Sequence, residues 1–236
     1  MTGECGPVVT EDGGVSTQGD RSSRQLSEVP LEVLIVCTAN RCRSPMAERL
    51  LQRTTAEQAL AVAVTSAGLL QAERPADPRA VKIMTGLGLD LLSHRSRAVT
   101  PEMLRSADLV LTMERRHVRV TAERAPDTWA RTFTVREFVR RSAERGGRRP
   151  DEAWERWVAR VHAGRRPPDL LRGSGDSDVR DPIGGSDRAF RQCARELSSL
   201  MDQLARLVFP RSPGEVDGVG TTPGRPRDRR TFNRRR

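Results

Sequence analysis

The stretch from Leu31 to Leu51, LEVLIVCTANRCRSPMAERLL, limits the possible folds of this chain more than any other. Its first part, Val33-Leu34-Ile35-Val36, is a run of apolar, mostly β-branched residues without polar alternation. That is the composition of a strand buried on both faces of a parallel sheet. Its last part, Pro45 to Leu51, predicts a helix with Ser44 as N-cap, Pro45 at the first helical position and Glu48 in the first turns. Between them lies Cys37-Thr38-Ala39-Asn40-Arg41-Cys42-Arg43-Ser44, a Cys-x5-Arg-Ser loop.

A tight turn from strand to helix points successive backbone N–H groups inward and makes an anion nest at the positive end of a helix dipole. Thr38, Ala39, Asn40, Arg41, Cys42, Arg43 and Ser44 are therefore the expected phosphate-binding residues. Arg43 is placed to close the nest with its planar fork. Asn40 tolerates the left-handed backbone angles that such a turn needs. Cys37, at the strand end beneath the nest, is the expected nucleophile, with a thiol pKa below the free value of about 8.5. Ser44 serves either as helix cap or as a hydroxyl donor to the sulfur. The blander readings are weaker. Four cysteines (5, 37, 42 and 193) and three histidines give no second metal-ligating cluster. A disulfide scaffold does not suit a chain of this size without a secretory h-region.

VCTANRCRSPMAE resembles the phosphate-binding loop of the low-molecular-weight protein tyrosine phosphatases, a family that also holds bacterial protein-arginine phosphatases and thiol-dependent arsenate reductases. In that family a late Asp-Pro supplies the general acid, and the matching pair here is Asp181-Pro182 within VRDPIGGSDRAFR. Ser66-Ala67-Gly68 and Ala107-Asp108-Leu109-Val110-Leu111-Thr112-Met113 followed by His117 are further points of likeness. The resemblance covers about Glu32 to Phe209. It implies hydrolysis of a phosphorylated protein or peptide, most of all phosphotyrosine, with Cys37, Arg43 and Asp181 catalytic and Ser44 and Pro182 in support. It also implies no metal or cofactor, and a redox role for Cys42 as disulfide partner of Cys37.

The remainder of the chain predicts an α/β fold: a four-stranded parallel sheet with helices on both faces, the loop lying between the first strand and the first helix. Strands are expected at Leu60–Ser66, Ala107–Met113 and Arg131–Val135. Helices are expected at Asp77–Leu87, Thr100–Arg105, Arg115–Arg124, from Arg136 onward, near 151–163, and over Arg188–Val208. Residues 141–178 are longer and more polar than the family needs. There Trp154, Trp157, Val158 and Val161 recur at helical spacing, read either as a helix laid over the core or as one flanking the site mouth. Arg165-Arg166-Pro167-Pro168 and Gly173-Ser174-Gly175 are loop signals. Cys193 falls on the apolar stripe of the last helix and reads as core.

Residues 1–30 and 210–236 lack periodicity and are expected to be disordered, flanking a catalytic domain at 31–209. The last segment carries eight arginines, which suits weak attraction to anionic surfaces but, with aromatic residues for stacking almost absent (Phe232 alone), no specific nucleic-acid binding. The basic excess (41 Lys and Arg against 31 Asp and Glu) is almost wholly arginine, Lys82 being the one lysine. No stretch approaches the roughly 18 apolar residues of a membrane span, and a reducing cytoplasm is the expected compartment.

Three departures from the family pattern bear on substrate. Ala39 stands where Gly is usual. Arg41 stands where tyrosine phosphatases carry Ile and arginine phosphatases Thr, a second guanidinium expected at the mouth. Ile183 follows Asp181-Pro182 where Tyr is frequent, so the form Asp-Pro-Ile-Gly-Gly is as close to the arginine phosphatases. Protein-arginine phosphatase, arsenate reductase and a catalytically weak phosphopeptide-binding module are the alternatives.

Overall fold

The computed structural model describes residues 30–70, 73–166 and 175–209. The terminal segments read as disordered (apart from residue 30), Cys5 and the loop signals at 167–174 lie outside them. Four strands, β1 (Leu31–Cys37), β2 (Val62–Gly68), β3 (Leu109–Thr112) and β4 (Thr132–Thr134), form one sheet in the order β2-β1-β3-β4, all parallel. β1 is central and buried except at Glu32. Its alternation divides the core. Leu31, Val33, Ile35 and Cys37 join the larger apolar cluster, while Leu34 and Val36 join Ala67, Val99, Leu104 and Val110 on the other face. Cys37 therefore ends the central strand on the side of the larger cluster, at the carboxyl edge where ligands collect in such sheets.

Helix α1 (Arg43–Glu57) follows the loop and packs on that side against α7 (Asp187–Val208). The expected start of α1 is corrected. The helix begins at Arg43, its N-cap position is Cys42, and no side chain caps it. Ser44 lies inside the first turn because its hydroxyl is drawn to the Cys37 sulfur instead. Ala59 takes a left-handed φ of 50° after the end of α1, and Leu60 N–H donates to Thr55 O at 2.9 Å. This closure of the helix end keeps Leu60 and Ala61 out of β2, which runs from 62 to 68 rather than from 60 to 66.

Helices α2 (Pro78–Thr85) and α3 (Pro101–Ser106) start as their sequences predict, with Asp77 and Thr100 side chains accepting from Arg79 N–H and Met103 N–H. α4 (Arg115–Arg124) follows β3. A 3-10 turn at Pro126–Arg131 leads into β4, then α5 (Val135–Glu144). α6 (Trp154–His162) buries Trp154, Trp157, Val158 and Val161. It does not flank the site mouth. Trp154 Nε1 donates to Asp108 O at 3.2 Å, beside the amino end of β3 and so at the opposite edge of the sheet from the Cys37 loop. Trp157 meets Phe138 edge-on at 5.5 Å and Trp154 at 5.3 Å. Arg165, expected in a loop, is an anchor: its guanidinium stacks between Trp129 and Phe133 at 4.1 and 4.0 Å, and its Nε donates to Glu137 at 2.8 Å.

These contacts make α6 a structural brace. Trp157→Ala is expected to lower unfolding free energy by about 3–5 kcal/mol in urea titration, without changing the side-chain geometry at the loop.

Candidate active site

The site is built where β1, α1, the start of α4 and residues 178–183 converge. The loop turns sharply because Asn40 takes the left-handed conformation, φ 51°. Ala39 does not, so a Cβ in place of the usual hydrogen meets no backbone strain there. Gly68, paired with Cys37 across the sheet, lies directly against this turn. A Cβ on Gly68 would stand 2.8 Å from both Ala39 C and Asn40 N. The close approach requires glycine.

The turn is locked from behind. Asn40 Nδ2 donates to Ser44 Oγ at 3.0 Å and to Ser66 Oγ at 2.8 Å. Asn40 Oδ1 accepts from Arg97 N–H at 3.0 Å, and His94 Nε2 lies 2.7 Å from Asn40 O. Ser66 passes its own proton to Glu48 at 2.5 Å. Ser44, having accepted from Asn40, is free to donate to the Cys37 sulfur at 3.0 Å, and Asn40 N–H donates to the same sulfur at 3.2 Å. Two donors from the turn are thus aimed at one sulfur.

Arg43 is fully buried, 1 % exposed, and closes the front. Nη1 donates to Glu114 Oε1 and to Val179 O (3.0 Å); Nη2 donates to Asp181 Oδ2 (2.6 Å) and Thr38 Oγ1 (3.3 Å). Burial works against its charge, but Glu114, Cys37 and Asp181 outweigh that and hold its pKa above the ordinary value. The Glu114 carboxyl is likewise pushed up by burial and pulled down further by Arg116 and Arg43, so it stays ionised. Asp181 is the more exposed partner, 35 % against 16 % for Glu114.

Thr38 Oγ1 accepts from Arg43 and from Arg116 Nη2 (3.0 Å), which leaves its own proton for His117 Nε2, 3.0 Å away. By that count the ring proton of His117 sits on Nδ1, a buried atom with no partner among the described residues. Burial pushes the His117 pKa down to about 4, with Arg43 and Arg116 acting in the same direction.

The sequence-predicted residues Cys37, Thr38, Asn40, Arg43, Ser44 and Asp181 are thus brought together. Pro182 follows Asp181, whose Oδ1 accepts from Ile183 N–H at 3.2 Å. Arg41 Nε donates to Pro75 O at 2.9 Å, and Arg116, which the sequence reading did not single out, donates from Nη2 to Thr38 of the loop. Cys42 lies beneath, its S–H directed at Met46 Sδ (3.7 Å) and its pKa pushed far up by burial and by Cys193. Cys193 is buried in the core, its pKa pushed up to about 12, which does not suit an exposed electron relay. Glu114 and Arg116 carried no motif in the sequence, and Glu48 was read only as an acidic residue of the first helical turns. The only hint of Glu114 was its place directly after a buried strand.

A buried thiol where a parallel strand turns into a helix, met by two donors of the turn and fronted by a buried arginine, is an arrangement suited to a phosphoryl group. The low molecular weight phosphotyrosine protein phosphatase family model matches residues 32–151. A protein-arginine-phosphatase of Bacillus subtilis is 31 % identical over 179 residues, covering 75 % of this chain and 97 % of its own. The tyrosine phosphatase Wzb of Escherichia coli is 43 % identical over 96 residues, 40 % of this chain and 63 % of its own. Among solved structures, a low molecular weight protein tyrosine phosphatase from Bacillus subtilis superposes with a TM-score of 0.57 at 31 % identity, covering 75 % of this chain and 96 % of that one. This chain belongs to the low molecular weight phosphotyrosine protein phosphatase family.

Two outcomes follow from the geometry. Gly68→Ala is expected to displace the loop at a cost of about 1–3 kcal/mol, with weakened binding of inorganic phosphate in calorimetry. His117 binds its proton more weakly folded than unfolded, so acid favours the unfolded chain. Stability is expected to fall as pH drops from about 6.5 through about 4, by at most about 3 kcal/mol from this residue. His117→Asn should flatten that slope in denaturant titrations at several pH values.

Proposed function

We propose that this protein is a phosphoprotein phosphatase acting on phosphomonoesters, phosphotyrosine first, through a phosphocysteine intermediate on Cys37, with residues 31–209 as the catalytic unit. The observation that carries this reading is the double donation to the Cys37 sulfur at the floor of the nest, with Arg43 and Asp181 meeting at 2.6 Å in front of it. In the first step the sulfur anion attacks phosphorus, the bond from phosphorus to the leaving oxygen breaks, and Asp181 gives that oxygen its proton. The incoming phosphoryl group competes with Asp181 for Arg43 Nη2. Asp181, the more exposed of the two carboxylates, is the one to yield and move to the leaving oxygen, while Glu114 stays and keeps Arg43 aimed. In the second step Asp181 takes a proton from water, the water oxygen bonds to phosphorus and the sulfur departs, its charge received by Ser44 and the Asn40 amide.

Two of the four large apolar side chains exposed among the described residues border the site: Leu70, whose N–H donates to Thr38 O, and Ile183 beside the Asp-Pro pair. They support the tyrosine reading, since an aromatic ring needs apolar walls and the chain has no Tyr to supply them. The second reading, a protein-arginine phosphatase, is favoured by the coverage of the Bacillus subtilis relative, which matches along nearly its whole length.

Cys37→Ser is expected to abolish hydrolysis of p-nitrophenyl phosphate, and Asp181→Ala to slow it by about 10²–10⁴-fold; equal losses would contradict the assigned roles. Rates on phosphotyrosine and phosphoarginine peptides, measured side by side, are expected to favour phosphotyrosine, and the opposite order moves the assignment to the second reading. Peroxide is expected to convert Cys37 to a sulfenic acid, which condenses with the Cys42 thiol to a disulfide and water. Activity should then return with dithiothreitol in the wild type but not in Cys42→Ala.

A further inference from the structure

Arg116 has no part in the steps above, yet it stands at the rim of the loop. Its Nε and Nη2 grip the Glu114 carboxylate side-on at 2.5 and 3.2 Å, and Nη2 reaches Thr38 Oγ1 at 3.0 Å. One carboxylate therefore joins two guanidinia, Arg43 beneath the site and Arg116 at its edge. The exposures differ sharply: 1 % for Arg43 and 54 % for Arg116. Nη1 of Arg116 has no partner among the described residues. A free surface arginine loses rotamer freedom when it binds an anion, but this one is already held by its Glu114 fork, so that cost is largely met before substrate arrives. The charges point the same way. Glu114 carries one negative charge shared between two cations, and Asp181, the other carboxylate on Arg43, leaves it during the reaction. The rim then carries net positive charge within one residue of Cys37.

We infer that Arg116 is a specificity-determining residue that selects phosphorylated segments carrying a carboxylate side chain next to the phosphorylated residue. The exposed edge of its guanidinium takes that carboxylate while the nest takes the phosphoryl group. The same charge opposes a substrate whose phosphoryl group is itself borne on a guanidinium. This inference rests on the phosphatase reading and adds the substrate class.

The test uses the full chain and two phosphotyrosine peptides identical except for Glu or Gln on both sides of the phosphorylated residue. The wild type is expected to show a kcat/KM ratio of about fivefold in favour of the Glu peptide, carried by KM and shrinking as ionic strength rises. In Arg116→Ala the ratio falls to about one; in Arg116→Glu it inverts; in Arg116→Lys it is partly kept. Arg41→Ala leaves the ratio in place. Because both peptides are read on one preparation, the ratio does not depend on the fraction of variant that folds. An unchanged ratio in Arg116→Ala, or its loss in Arg41→Ala, overturns the inference. If the wild type hydrolyses neither peptide, the phosphotyrosine reading fails by itself. Fluorescence anisotropy of the two peptides on Cys37→Ser, with and without Arg116→Ala, then still decides whether Arg116 reads the carboxylate.

Discussion

The arrangement depends on a guanidinium taken out of water. Arg43 is almost wholly buried, and an unpaired cation there would cost several kcal/mol even after relaxation. It is held because partners arrive from three separate parts of the chain. Glu114 comes from the β3–α4 junction, Val179 O and Asp181 from the segment before α7, and Thr38 from the loop itself. The same bonds that satisfy the charge draw these segments onto the mouth of the sheet. One electrostatic requirement thus ties the site together, and it brings Asp181 against Arg43 although 138 residues separate them.

A second set of constraints acts on backbone shape. The loop can present its amides to an anion only if it turns tightly, and the turn is made by Asn40 in a left-handed conformation that a side chain adopts only when its surroundings hold it. Ser44, Ser66, Arg97 and His94 do the holding. Gly68 permits it, because β2 runs so close to the loop that nothing larger than hydrogen fits between them. The hydrogen bonds are directional: Asn40 gives to Ser44, and Ser44 gives to the sulfur. A proton donor is therefore aimed at Cys37 by a network whose far end is anchored to Glu48 on α1.

Much of this was legible before any coordinates. The buried strand, the Cys-x5-Arg-Ser loop and the helix after it are local in sequence, and local steric rules set their order. The starts of α2, α3 and α4 were legible for the same reason. Where the reading failed, a distant partner had decided. Ser44 is a good N-cap by composition, but the Cys37 sulfur took its hydroxyl. The tryptophans of α6 announced an amphipathic helix but not which end of the sheet it would cover. Arg165 does lie in a loop, as read, but nothing local showed that Trp129 and Phe133 would enclose it.

The sequence by itself determined the parallel α/β frame and marked the candidate nucleophile, the sharp turn after it and the arginine beside it. Those follow from residue types at short spacing, where backbone geometry leaves few choices. Only the tertiary structure decided which carboxylate steadies Arg43 and which residues hold Asn40 in its turn. It also decided that Arg116 meets Thr38 at the edge of the loop. Each of those is a pairing between groups brought together by strand order and helix packing, and a charge or hydroxyl carries no mark of its partner until the chain has folded around it.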